Sequence, residues 1–233
     1  MTLALTVAIL AYNEEANLRW VVEEMAKELE SIPEPWEIMI VNDGSSDGTG
    51  RVADELARED ARVRVVHHEV NRGLGGGYRT GFDEAKGTFL IFFPADGQFS
   101  PDIITRFYRQ MGELDMLLGY LPNSKRPLFA RAASVAEKIL YRVLIGKMPK
   151  FQGVLMFRTS LAREIELELS GRGWGIILEF IFRVANGPYR VRSTPTDVRK
   201  RISGESKVMN TKTIKANLEQ LFALRDALKK SRR

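Results

Sequence analysis

Along the first 120 residues, short apolar runs alternate with stretches in which apolar residues recur every three or four positions. Leu5–Ala11 is a mostly apolar run closed by polar Tyr12-Asn13-Glu14-Glu15, the pattern of a buried strand. Leu18, Val21, Val22, Met25 and Leu29 then follow at helical spacing, and Ser31–Pro35 ends that helix. Trp36–Val41 reads as a second strand, Asn42–Gly50 as a turn cluster, and Val52 and Leu56 mark a short helix. Val63–His67 is a third strand; the glycine-rich stretch Gly73–Gly77 leads into a helix carrying Tyr78, Phe82 and Ala85. Thr88–Phe93 is a fourth strand, followed by the turn Pro94–Pro101 and a helix from about Asp102, with Leu114–Gly119 as a fifth strand. Strands alternating with helices imply βαβ units, a mostly parallel sheet and an α/β fold. Such sheets bind ligands at the carboxyl ends of their strands.

The second half departs from this rhythm. From Leu128 to Leu144 apolar positions form a wide helical stripe, with Arg131, Lys138 and Arg142 sharing one face, a basic amphipathic helix. Val154–Phe157 and Tyr189–Ser193 read as strands and Ile176–Val184 as a buried helix. Ile214, Leu218, Leu221 and Leu228 predict a C-terminal amphipathic helix ending in a basic tail. With no repeat or linker, the 233 residues read as one domain: 1–120 a nucleotide-binding half, 121–233 an acceptor-side half.

Charge sharpens the division. Residues 125–150 carry seven basic side chains against one acidic, and residues 196–233 eleven against four, while the whole chain is only +5. Cationic charge is thus gathered in two late blocks, which fits an anionic partner or two solvated helix faces. There is no cysteine, so thiol chemistry is excluded and a reducing, cytoplasmic setting fits. No run of about 18 apolar residues occurs, so a peripheral contact with the membrane, or a separate membrane-anchored partner, is expected rather than a span. No nucleic-acid recognition motif is present.

The candidate chemistry lies in the turns. A dinucleotide fold would want glycines after the first strand; here that turn is Tyr12-Asn13-Glu14, and Gly73-Leu74-Gly75-Gly76-Gly77 follows the third strand instead. In Val41-Asn42-Asp43-Gly44-Ser45-Ser46-Asp47, a strand-end carboxylate can accept from a base or ribose, and the same aspartates can serve turns and caps. In Pro94-Ala95-Asp96-Gly97-Gln98, a carboxylate and an amide oxygen two residues on suit a hard cation such as Mg²⁺, which takes one or two carboxylates plus phosphates and water. The late run Arg199–Lys207 sets cations around Gly204, a composition suited to an oxyanion and equally to a plain basic loop. His67 and His68 end a strand without metal-ligand company and read as structural; Trp20, Trp36 and Trp174 read as core or pocket-wall residues.

Taken together, AYNEEANL, VNDGSSDGT, NRGLGGGYRTG, PADGQF and ISGESK resemble, in order and spacing, the family-2 glycosyltransferases of GT-A (Rossmann-like) fold. The similarity is greatest to the polyprenyl-phosphate sugar transferases of the dolichol-phosphate mannose synthase type, and it extends to about Leu224. The resemblance implies inverting transfer of a hexosyl unit from a UDP- or GDP-sugar to a polyprenyl phosphate. It implies that Tyr12, Glu14, Asp43 and Gly73 line the nucleotide, that Asp96 and Gln98 hold Mg²⁺ or Mn²⁺, and that Arg201, Ser206 and Lys207 meet phosphates, with Asp96 and Arg201 serving catalysis. It also places the basic helix near the lipid acceptor.

Two positions depart from the family pattern. The metal turn usually begins with aspartate, where this chain has Pro94, so metal binding is expected to be weaker. The aspartate usual about four residues before a Gly-Phe pair is replaced by Pro149, ahead of Gly153-Val154. A hydroxyl acceptor gains about 10²–10⁴-fold from a general base. A phosphate monoester already carries about −1.5 to −2 charge and needs none. The second departure therefore favours a phosphate acceptor. The rival readings are a family-2 transferase acting on a sugar hydroxyl, with Glu179 as candidate base, and a non-catalytic nucleotide-sugar-binding homologue.

Overall fold

The computed structural model describes residues 3–122, 146, 148–199 and 211–230. The alternating pattern of the first half becomes β1 (Leu5–Ala11), α1 (Glu15–Leu29), β2 (Trp36–Asn42), α2 (Thr49–Glu59), β3 (Val63–His67), α3 (Gly73–Glu84), β4 (Phe89–Pro94), α4 (Asp102–Met111) and β5 (Met116–Tyr120). The second half contributes β6 (Leu155–Arg158), a short α5 (Ser160–Glu164), α6 (Gly175–Ala185), β7 (Val191–Pro195) and α7 (Thr211–Lys230). The basic helix expected over 126–145 and the phosphate-loop residues Arg201, Ser206 and Lys207 lie outside the described residues.

Seven strands form one sheet in the order β3-β2-β1-β4-β6-β5-β7. β1, β2, β3 and β4 pair parallel, as do β5 and β7, while β6 runs antiparallel between β4 and β5. This is the mostly parallel α/β sheet that the alternation predicts. The order turns back on itself between β1 and β4, the kind of switch point where open α/β sheets bind ligands.

Both faces of the sheet are covered, which explains why its central strands are mostly apolar; the buried exceptions, Thr6 of β1 and Glu37 of β2, satisfy each other, the Thr6 hydroxyl donating to Glu37 Oε1 at 2.7 Å. Val7 and Ile9 of β1, Ile38 and Ile40 of β2, and Ile91 and Phe93 of β4 point to one core, under α1, α2 and α4. Their neighbours Ala8, Met39, Val41, Leu90 and Phe92 point to the other, under α3 and α6. In that second core Phe82 meets Phe92, Phe157 and Phe180 with centroids 5.6, 5.9 and 4.9 Å apart. Such rings contribute beyond their buried area, about 0.5–1.5 kcal/mol per pair.

Two local differences from the sequence reading have physical causes. Gly73–Gly77 is not a loop leading into α3 but its first turns, because the helix is capped from elsewhere in the chain. β5 starts two residues later than Leu114, whose N–H closes a turn onto the Met111 carbonyl at 2.6 Å. Trp36 is buried as expected, whereas Trp20 is 37% exposed on α1, so the core reading of Trp20 does not hold.

Candidate functional site

Strand register sets the site. Ala11 of β1 pairs with Asn42 of β2, and Leu10 pairs with Pro94 of β4, so the turns after these strands emerge side by side. Tyr12 and Glu14, Asp43, and Asp96 with Gln98 therefore share one carboxyl edge at the switch point.

The first two turns are stitched together. Asn13 adopts φ 55°, a left-handed conformation that asparagine tolerates better than most residues. Its N–H donates to Ser45 Oγ at 3.1 Å, and its Oδ1 accepts from the Ser46 amide at 2.9 Å. The Glu14 amide donates to Thr49 Oγ1 at 2.8 Å, and the Glu14 carboxylate accepts from Asn17 Nδ2 at 2.7 Å. Asp47 accepts from the Thr49 amide and hydroxyl and from the Glu15 amide. Burial works against its charged form, yet these bonds prevail and hold the Asp47 carboxyl below the usual carboxylate range. Tyr12 on this edge is 41% exposed.

Asp43 is buried, and its carboxylate closes the N-terminus of α3. Oδ1 accepts from the Arg72 amide at 2.7 Å and Oδ2 from the Gly73 amide at 2.8 Å. His68 Nδ1 lies 2.7 Å from Oδ1, and its Nε2 lies 2.7 Å from Thr80 Oγ1 on α3. This arrangement satisfies helix amides that otherwise lack partners. It also explains the glycine run. The Gly75 amide donates to the Arg172 carbonyl at 3.0 Å, and a Cβ at Gly75 would lie 1.9 Å from the Gly171 carbonyl oxygen. Gly73 and Gly75 admit a neighbouring loop, while Gly77 admits the Leu10 side chain of β1. Arg172 then ties that loop to the Asn71 carbonyl and side chain. Gly73, expected at the nucleotide, stands here with φ +74° and its amide on Asp43.

The β4 turn is built locally. The Gln98 amide donates to Asp96 Oδ1 at 3.0 Å, a turn closed by the aspartate itself. The segment after β7 crosses this turn: the Arg199 amide donates to the Gln98 carbonyl at 2.7 Å, and its guanidinium reaches Ser100 Oγ and Glu24. Phe99 packs where Gly153 has no side chain, since a Cβ there would lie 2.3 Å from the ring. The region where the family aspartate is lacking, Pro149–Gly153, thus adjoins the β4 turn.

The donor set tests the metal. Pro94 offers no side-chain ligand, and among the described residues no three His, Cys, Asp or Glu side chains group as a metal cage. One carboxylate and one amide oxygen fit a cation that arrives with a diphosphate, not one held by protein alone.

Glu179, the candidate base for a hydroxyl acceptor, is fully buried on α6. Its oxygens accept from the Glu168 and Leu169 amides at 3.1 and 2.9 Å and from Arg183 at 2.8 and 2.6 Å. It holds a loop to a helix and is out of reach of substrate. His68, read from the sequence as structural at a strand end, sits against the Asp43 carboxylate, a placement that reading missed. The signal was register: His67 pairs with Asn42, which places His68 beside Asp43.

Residues 6–135 match the model of glycosyl transferase family 2, more than half the chain, and the chain belongs to that family. It is a glycosyltransferase of GT-A fold. It is 30% identical over 190 residues to undecaprenyl-phosphate mannosyltransferase of Micrococcus luteus, covering 77% of this chain and 78% of the relative. It is 29% identical to polyprenol monophosphomannose synthase of Mycolicibacterium smegmatis, covering 87% of this chain and 80% of the relative. Among solved structures it resembles UDP-bound glucosyl-3-phosphoglycerate synthase of Mycobacterium tuberculosis, with TM-score 0.70 and 15% identity over 96% of this chain and 80% of that one, a likeness of fold. No helix among the described residues is long and apolar enough to cross a membrane.

Proposed function

We propose that this glycosyltransferase moves one hexosyl unit from a UDP- or GDP-sugar to a polyprenyl phosphate, inverting the anomeric centre. The observation that carries the reading is the convergence of the Asp43 and Asp96 turns at the sheet's switch point. It occurs in a chain whose relatives, over 77% and 87% of its length, are named for undecaprenyl phosphate and polyprenol.

In this reading residues 1–120 bind the nucleotide and residues 121–233 serve the acceptor. Tyr12, Glu14, Asp43 and the main chain at Gly73 line the nucleotide. Asp96 and Gln98 turn toward the diphosphate, and Arg201, Ser206 and Lys207 meet phosphates of donor or acceptor. An oxygen of the acceptor phosphate forms the new bond to the anomeric carbon as the bond to the diphosphate oxygen breaks. The nucleoside diphosphate leaves with the bonding electrons. No proton has to be removed from the nucleophile, which accords with Pro149 in place of a carboxylate and with Glu179 engaged elsewhere. Asp96 and Gln98 would hold a divalent cation, Mg²⁺ or Mn²⁺, which would supply charge neutralisation for the diphosphate. Arg201 acts in the same direction. A lipid acceptor brings the chain to the cytoplasmic membrane face, peripherally or through a membrane-anchored partner.

The test is transfer of labelled hexose from UDP- and GDP-sugars to a short-chain polyprenyl phosphate, with Mg²⁺, Mn²⁺ or chelator. Donor-dependent product that disappears in Asp96→Ala supports the reading; unchanged turnover in that variant overturns the role given to Asp96.

A further inference from the structure

We propose that His68 is a positioning residue for the donor nucleotide, selecting which oxygen of Asp43 faces the ligand. The inference rests on the reading of Asp43 as a nucleotide-binding residue. A carboxylate offers about four acceptor directions, two per oxygen. Among the described residues, the Arg72 amide and His68 occupy Oδ1, while the Gly73 amide alone occupies Oδ2. The two amides by themselves would leave the oxygens equivalent, each with one acceptor direction open. His68 breaks that symmetry, so the remaining direction belongs to Oδ2.

The imidazole is itself held. A carboxylate only accepts, so Nδ1 carries the hydrogen and Nε2 meets the Thr80 hydroxyl. Its side chain is 2% exposed and that of Asp43 10%, so solvent offers little substitute for either bond. His68 thereby joins the end of β3, the loop after β2 and the body of α3 at one carboxylate. Register makes this unavoidable, because β3 pairs with β2 up to His67 and Asn42, and the next residue on each strand meets across the loop.

The two ring nitrogens can be separated chemically. In His68→Asn the amide nitrogen stands near Nδ1 and still donates to Asp43. In His68→Gln the amide stands near Nε2 and still reaches Thr80. His68→Leu does neither. Binding of UDP and of GDP is measured by calorimetry on the full chain and these variants, with Asp43→Asn in the same series and thermal midpoints recorded alongside. For whichever diphosphate the unaltered chain binds, His68→Leu and His68→Gln are expected to weaken affinity about tenfold, and His68→Asn to recover most of it. Should His68→Leu not fold, the Asn and Gln pair alone decides. Equal affinity in the Asn and Gln variants, with only the thermal midpoint moving, overturns the proposal and leaves His68 structural. Unchanged affinity in Asp43→Asn overturns the donor-site reading beneath it, an outcome distinct from failure of the histidine series.

Discussion

Asp43 and Asp96 both follow buried parallel strands, one residue and two residues past the pairing, yet the fold holds them in opposite ways. Asp43 is gripped by groups 25 to 30 residues away: His68, Arg72 and Gly73. Asp96 is shaped by the amide two residues on, and Arg199 adds a main-chain bond across the same turn. Geometry at Asp43 therefore depends on the assembled sheet and on α3, whereas the bond that closes the Asp96 turn lies within the turn itself. A carboxylate gripped by three distant donors should couple binding to stability more strongly than one whose turn closes on itself.

Four substitutions break or sharpen that contrast. Asp96→Ala should have the largest effect on chemistry, lowering kcat by about 10²-fold or more, the scale of losing a group that stabilises developing charge. Its thermal midpoint should barely move, and a large drop there would erase the distinction. Asp43→Ala should lose both: the buried His68 imidazole and two partly buried amides lose their acceptor, at about 2–4 kcal/mol in chemical denaturation, alongside weaker donor binding. Glu179→Ala extends the series to a carboxylate that is wholly structural. Breaking its buried pair with Arg183 should cost about 3 kcal/mol of stability, while kcat of the folded fraction stays near that of the unaltered enzyme. A collapse of kcat at unchanged stability would restore Glu179 as a base. The smallest effect concerns α3, the helix Asp43 caps. Burial pushes the Tyr78 hydroxyl up to about 12 from 10.0, so an unfolded chain gives up this proton near pH 10 while the folded chain keeps it. Stability should fall as pH rises from 10 towards 12, by at most about 2.7 kcal/mol from this group. Tyr78→Phe should flatten that part of the profile in urea titrations at stepped pH.

How much was readable in advance follows the same division between local and distant causes. β1 and β3 were bounded to the residue, and β2 and β4 to within one, because strands rich in apolar and β-branched residues stop where polar turns begin. The Asp96 turn was equally readable, since its closing bond lies within three residues. What escaped was set by partners far along the chain. The glycine run appeared unfit for a helix because glycine is a poor helix former. Its cap, Asp43, comes from 30 residues upstream. His68 looked idle for the same reason. Short α5 carries too few turns for a periodic signal, and the reversed direction of β6 has no signature in the four residues that form it.

The close pass of Gly75 under the Gly171 carbonyl has an evolutionary consequence. The obstructing atom is main chain, so no exchange of side chain at position 171 can make room for a Cβ at 75. A Cβ at Gly171 itself meets nothing within 4 Å, leaving that position free to vary. The constraint therefore falls on the path and length of the 171–173 loop and on the identity of one residue 96 positions upstream. Among descendants of this sequence, it should appear not as matched substitutions but as a loop that neither gains nor loses residues while Gly75 stays glycine.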